Sequence, residues 1–209
     1  MANLAEISEL LQKGKAKDVK ERVQAAIDEG VPPKEILDEG LLSGMSVIGE
    51  KFKNNEVYVP EVLIAARAMN AGMEILEAKL VDAGVESKGK IVLGTVKGDL
   101  HDIGKNLVCM MFKGGGFDVI DAGIDVAPEK FVELAKEKGA GLIGCSALLT
   151  NTMPAMKQVV EAVKEAGIDC KVLIGGAPVT QAYCDEIGAD GYAPDAASAV
   201  DVGKQLVGA

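Results

Sequence analysis

Tryptophan is absent from this 209-residue chain, and three Tyr and four Phe are all the aromatic side chains it has. Proteins that hold single-stranded nucleic acid stack bases on such rings, so that use is disfavoured. Basic charge is also scarce: 22 Lys and Arg face 32 Asp and Glu, a net charge of −10. That balance argues against any phosphate backbone as a partner, so no nucleic acid is expected. No apolar run approaches the ~20 residues that cross a bilayer, so no membrane partner is expected. The opening Met1-Ala2-Asn3-Leu4-Ala5-Glu6 is acidic and lacks the apolar core of a signal peptide, which predicts a cytoplasmic protein. Cys109, Cys145, Cys170 and Cys184 show neither CxxC pairing nor zinc spacing. They sit mostly in apolar runs and are expected as small core hydrophobes in a reducing compartment. Histidine is scarcest of the titratable residues, with His101 alone. Any chemistry that needs an imidazole must use it.

What is present falls into two rhythms. Leu4, Ile7, Leu10 and Leu11 recur at helical spacing, as do Val19, Val23, Ala26 and Ile27. A third set is Leu37, Leu41, Met45, Ile48 and Phe52, and a fourth is Val62, Ala66, Met69, Met73, Leu76 and Leu80. Each makes one apolar stripe with charge opposite it. Breaks fall at Gly14, at Gly30 with Pro32-Pro33, and at Asn54-Asn55 with Pro60. Four amphipathic helices with short connections predict a four-helix bundle over residues 1–83. Residues 84–89, small and polar with Gly84 and Gly89, read as a linker. From 90 to 209 the period changes. Strand-like runs at Ile91–Val96, Phe117–Asp121, Leu142–Cys145, Val172–Ile174 and Gly191–Ala193 alternate with helical patterns at Lys105–Lys113, Pro128–Lys138, Met153–Ala166, Val179–Ile187 and Ala196–Val207. Apolar strands alternating with helices predict an α/β domain: a five-stranded parallel sheet covered on both sides, in flavodoxin-like (Rossmann-type) order. Ligands of such sheets bind at the carboxyl ends of the strands, near the point where the strand order reverses.

The lone histidine lies at that edge. It sits in Gly98-Asp99-Leu100-His101-Asp102-Ile103-Gly104, directly after the first strand. A neutral imidazole is a good transition-metal ligand, and a neighbouring carboxylate fixes its tautomer and raises its basicity. Asp-x-His-x-x-Gly alone is a weak signal. The stretch from Gly98 to Gly104-Lys105 also looks like a phosphate loop, but five residues separate the glycines and Asn106 stands where Ser or Thr should be. Asp99 and Asp102 would in any case repel phosphates. Two later loops add weight to the metal-ligand reading. Ser146-Ala147-Leu148-Leu149-Thr150-Asn151-Thr152 follows the third strand, and Gly175-Gly176-Ala177-Pro178 follows the fourth.

This set, with intervals of about forty and about twenty-six residues, resembles the signature of cobalamin-binding domains. The preceding bundle is similar to the helical cap of the methionine synthase cobalamin module. Cap and binding domain without a catalytic domain look like the small corrinoid proteins of anaerobic methyltransferase systems. The resemblance implies cobalamin as cofactor, with His101 binding cobalt in place of the cofactor's own dimethylbenzimidazole base. It implies that Asp99 bonds the ligand histidine and that Thr152 supplies the hydroxyl of a proton-linked triad. Gly98, Leu100, Asp102, Ile103 and Gly104 of the same loop, with Ser146, Leu148, Thr150, Gly175, Gly176 and Ala196, are implied to contact the cofactor and its displaced tail. In the cap, Tyr58 and Met69 are matched to the upper corrin face.

The function so implied is that of a methyl carrier. Cob(I)alamin takes a methyl group from a substrate held by a partner methyltransferase, and a second methyltransferase with tetrahydrofolate or coenzyme M accepts it. A reductive activase is a further implied partner. The chain would be the carrier subunit of a cobalamin-dependent methyltransferase system, not a complete enzyme alone. Methanol, methylamines, betaine and methoxyaromatics all remain open as donors, since donor choice lies in the partner. Two other readings stay open: a cobalamin-responsive regulator or sensor without methyl transfer, and a detached subunit of a cobalamin-dependent mutase.

Overall fold

A computed structural model describes residues 3–208. The chain divides into two compact units, one within residues 3–87 and one beginning at Lys88, with Gly114–Gly116 grouped with the first.

The first unit is helical. Its elements are α1 (Leu4–Gln12), α2 (Ala16–Asp28), α3 (Pro33–Glu35), a π-helical stretch (Ile36–Leu42), α4 (Ser43–Lys53) and α5 (Val59–Asp82). Because α3, the π-helical stretch and α4 run on without a break, the unit has the four helical spans expected from the apolar stripes. Ile7, Leu11, Val19, Val23, Leu41, Met45 and Leu76 are buried in it. The third span departs from a simple stripe. The wider π-helical turn shifts the phase, so Ile36, Leu41 and Leu42 are buried while Leu37 is only partly covered. Pro60 lies in the first turn of α5, where its missing N–H leaves no helical bond unmade. The backbone N–H of Tyr58 donates to Glu61 Oε2 at 3.0 Å and closes that end. Gly72 explains how α5 packs so closely. A Cβ there would lie 2.8 Å from Leu41 Cδ2 and 3.2 Å from Val19 Cγ1.

The second unit alternates β1 (Lys90–Val96), α6 (Ile103–Gly114), β2 (Asp118–Val126), α7 (Pro128–Lys138), β3 (Leu142–Ser146), α8 (Pro154–Glu165), β4 (Lys171–Gly175), α9 (Gln181–Ile187), β5 (Gly191–Ala193) and α10 (Ala196–Val207). The sheet order is β2-β1-β3-β4-β5, with every pair parallel. This is the five-stranded flavodoxin-like sheet expected from the pattern. Val92, Ile143, Val172 and Ile174 from the strands meet Phe131, Val132, Met156, Val159 and Val160 from α7 and α8 in one apolar cluster. All four cysteines are free and buried. Burial pushes the Cys109 thiol up to about 11 and the Cys170 thiol up to about 12. These are packing residues, as expected.

β2 runs five residues beyond its expected end at Asp121. Gly123 and Asp125 make that stretch read as a loop. The strand is nonetheless an edge, half-exposed, and edges tolerate polar residues. Its pairing to β1 is irregular. Leu93 and Gly94 face Asp121 and Gly123, and Gly94 and Val96 face Gly123 and Val126, so β2 holds an extra residue at each step. α9 starts at Gln181 rather than Val179 because the Thr180 hydroxyl accepts from Tyr183 N–H at 3.2 Å and caps it. Among the described residues no helix is long and apolar enough to cross a membrane.

Candidate functional site

In this strand order the direction of winding reverses between β1 and β3. The loops that follow those two strands therefore flank a crevice at the carboxyl edge of the sheet. The loop after β1 carries Asp99 and His101, and the loop after β3 carries Leu148, Leu149 and Thr152.

Asp99 joins the two loops. It is fully buried, and its carboxylate accepts five hydrogen bonds. Oδ1 accepts from His101 N–H at 3.1 Å and pairs with His101 Nδ1 at 2.8 Å. Oδ2 accepts from Leu148 N–H at 2.8 Å, Leu149 N–H at 3.3 Å and the Thr152 hydroxyl at 2.8 Å. Burial alone would raise the carboxyl's pKa. The Leu148 amide, the imidazole and the Thr152 hydroxyl outweigh it and hold the group well below the usual carboxylate range. Asp99 is therefore ionised near neutrality and can only accept. It follows that Nδ1 carries the proton. In the neutral imidazole the lone pair is then on the other ring nitrogen, Nε2, of a side chain that is 51 % exposed. Thr152 Oγ1 lies 2.8 Å from both Asp99 Oδ2 and Leu149 O, and its single proton favours the charged acceptor.

The loop is braced on other sides too. The Thr95 hydroxyl, buried in β1, donates to His101 O at 2.8 Å. Gly98 N–H donates to Asp125 Oδ1 at 2.7 Å, and Asp125 N–H donates to Asp99 O at 3.0 Å. Lys105, 3 % exposed, places Nζ 2.6 Å from each Asp121 oxygen. Burial would raise the Asp121 carboxyl, but the Lys105 ammonium and the Gly123 amide hold it below its ordinary value.

Around the imidazole the surface is apolar. Leu100 (66 % exposed), Ile103 (79 %), Leu148 and Leu149 all present large side chains to solvent on the two loops that carry the triad. Such a patch is what a large, flat, mostly apolar group would cover. Gly176 supplies a second requirement. Its φ is +134°, and a Cβ there would collide with the Ala147 carbonyl oxygen, so the loops after β3 and β4 meet without a side chain between them. Nothing lies within 4 Å of where a Gly104 Cβ would stand, so backbone is open to a ligand there.

Of the residues singled out from sequence, the structure bonds Asp99, His101, Leu148 and Thr152 directly to one another. Gly98, Leu100, Asp102, Ser146, Thr150, Gly175 and Gly176 belong to the strand ends or the loops after β1, β3 and β4, and Ile103 and Gly104 open α6 on the same sheet edge. Asp102 accepts from Asn106 N–H at 2.7 Å through its carbonyl. Ala196 is buried at the start of α10, next to Asp195, whose carboxylate caps that helix. In the helical unit Tyr58 is exposed and Met69 is buried. Sequence reasoning missed Thr95, Lys105, Asp121, Asp125 and Leu149. The aspartates at 121 and 125 were the available signal.

Family models of the B12 binding domain match residues 89–201 and, through a second such model, residues 4–77. The chain is 45 % identical over 214 residues to dimethylamine corrinoid protein 2 of Methanosarcina acetivorans, covering 99 % of each. It is 44 % identical over 213 residues to a corrinoid protein of Desulfitobacterium hafniense, covering 100 % of this chain and 99 % of that one. Among solved structures, the methanol:cobalamin methyltransferase complex MtaBC from Methanosarcina barkeri superposes with TM-score 0.85 at 31 % identity, over 97 % of this chain and 78 % of that one. A cobalamin-binding protein from Desulfitobacterium hafniense superposes with TM-score 0.82 at 31 % identity, over 99 % of both. The fold and its loop thus define a B12-binding protein. Within that class the chain belongs to the corrinoid proteins, and its cofactor is cobalamin.

Proposed function

We propose that this chain is a methyl carrier, holding cobalamin for a partner methyltransferase that loads it and a second methyltransferase, with tetrahydrofolate or coenzyme M as acceptor, that unloads it. The observation that carries the reading is the half-exposed imidazole whose Nδ1 is tied to a buried, ionised Asp99. Bound cobalamin supplies the metal centre on which a methyl group is exchanged. The chain supplies the setting. His101 would hold the cobalt through Nε2. Asp99 fixes the tautomer through a charge-assisted bond of about 1.5–3 kcal/mol. Thr152 and the Leu148 amide fix Asp99. Leu100, Ile103, Leu148 and Leu149, all exposed without it, would pack on the apolar part of the group and exclude water. Gly104, Ser146, Thr150, Gly175, Gly176 and Ala196 would hold the cofactor's displaced tail. Tyr58 would also contact the cofactor, and a reductive activase would restore carrier that has been oxidised.

Electron paramagnetic resonance of the Co(II) form, in ¹⁵N-labelled protein, tests the ligation. The nitrogen splitting should come from labelled imidazole and vanish in His101→Ala. Splitting from unlabelled benzimidazole would mean that the base stays on cobalt and that the carrier reading lacks its foundation. Methyl transfer from a panel of donors, with candidate partners added one at a time, then identifies the first partner.

A further inference from the structure

The segment that holds the lone histidine, Gly98 to Lys105, is gripped at both ends by one strand. At its start Gly98 N–H donates to Asp125 Oδ1 at 2.7 Å, while Asp125 N–H donates back to Asp99 O at 3.0 Å. At its finish the Lys105 ammonium meets both oxygens of Asp121 at 2.6 Å. Asp121 and Asp125 both belong to β2, the edge strand, and both lie where its register to β1 slips. Asp125 is one of two described non-glycine residues with positive φ, at 52°. A left-handed Asp is tolerated but not free, and such conformations persist where surrounding structure demands them. Here the demand is visible. The left-handed turn lets one residue offer its N–H to Asp99 O and its carboxylate to Gly98 N–H. Lys105 is nearly fully buried, and both Asp121 oxygens stand against its ammonium to compensate the buried charge. Regular pairing of β2 needs neither aspartate. Bulges next to functional sites commonly serve to re-aim side chains in this way.

We propose that Asp125 and Asp121 are positioning residues that fix the span of the ligand loop from the sheet edge and so set where the His101 imidazole stands. The proposal rests on His101 being the cobalt ligand. It adds that this ligand is aimed by the edge strand as well as by Asp99 and Thr152. Asp125 acts on the turn before the histidine, and Asp121, through Lys105, on the first turn of the helix after it.

The test compares Asp125→Gly, which accepts the positive φ but loses the carboxylate, with Asp125→Asn, which keeps both the φ tolerance and an acceptor oxygen. In apoprotein, hydrogen exchange is followed at Gly98 and His101 amides. Loss of one hydrogen bond is expected to speed both by about tenfold in Asp125→Gly, with protection restored in Asp125→Asn. In cobalamin-loaded protein, the fraction of Co(II) showing ¹⁵N-imidazole splitting should fall in Asp125→Gly and recover in Asp125→Asn. Lys105→Met with Asp121→Leu removes the second anchor without leaving a buried charge, and should lower the same fraction while the folded circular dichroism signal is kept. Faster exchange at Gly98 alone, with His101 exchange and imidazole splitting both at parent values, would overturn the proposal. If the parent itself shows no imidazole splitting, the ligation reading fails instead. The apoprotein exchange at His101 still decides whether β2 holds the loop.

Discussion

The two units put their polar side chains to opposite uses. In the helical unit, charge pairs such as Lys20–Glu74, Arg22–Glu6 and Lys13–Glu9 lie at the surface with much of each side chain in water. In the α/β unit, the polar side chains are driven inward at one place. Among the described residues the buried polar side chains are Ser8, Thr95, Asp99, Lys105 and Thr152, and all but Ser8 belong to the ligand loop or brace it. Burying a polar group is costly unless it is fully bonded, and no buried side-chain polar atom of the described residues lacks a partner. The helical unit is stabilised by packing. The α/β unit accepts the added cost of a buried polar network, and that network sits under His101.

The contrast can be broken most sharply at Asp99. Asp99→Ala strands the Leu148 amide and frees the imidazole, and should cost about 3–4 kcal/mol by urea denaturation of apoprotein. It should also remove the imidazole signature from loaded protein. Leu76→Ala in α5 should cost about 3 kcal/mol through a cavity while leaving that signature intact. An altered signature in Leu76→Ala would break the comparison. Thr152→Val should cost about 1–2 kcal/mol, and Thr152→Ser should restore most of it. A pH series sharpens the point further. Asp99 titrates lower in the folded chain than an unfolded Asp does at about 3.9. Its stabilising contribution is therefore complete above that value and is lost as pH falls through the folded value. The gap in urea midpoint between parent and Asp99→Asn should be widest near pH 7 and narrower at pH 3. Smallest of all, Lys20→Ala should change stability by less than about 0.5 kcal/mol, because the pair it breaks is solvated.

Much of this was legible in the sequence, for reasons particular residues make plain. The helical patterns at Pro128–Lys138 and Ala196–Val207 are matched to the residue, since proline opens the first and Asp195 caps the second. Asp99, His101 and Thr152 were legible through the resemblance to cobalamin-binding domains, and the adjacent parallel strands β1 and β3 bring the loops that carry them together. The π-helical stretch Ile36–Leu42 stayed hidden, because one added residue per turn leaves the apolar positions plausible for an ordinary helix. Lys105 was hidden by its surroundings in sequence. Beside two glycines it suggests phosphates, and nothing local reveals that its partner is Asp121, 16 residues on. Asp125 and the far end of β2 were hidden because Gly and Asp ordinarily mark loops, and only tertiary pairing makes a strand of them.

The reach of the Asp99 carboxylate also fixes an order of events. Its partners in the loop after β3 lie 49 to 53 residues away along the chain. Contacts of that separation form late, after the entropy of closing the intervening chain has been overcome. A chain emerging from the ribosome thus exposes its histidine well before the donors that tune it exist. Cofactor capture with a correctly held ligand is confined to chains in which β3 has already taken its place beside β1. Cobalamin that binds those chains then stabilises them by mass action, so loading and completion of the β1–β3 pairing favour one another.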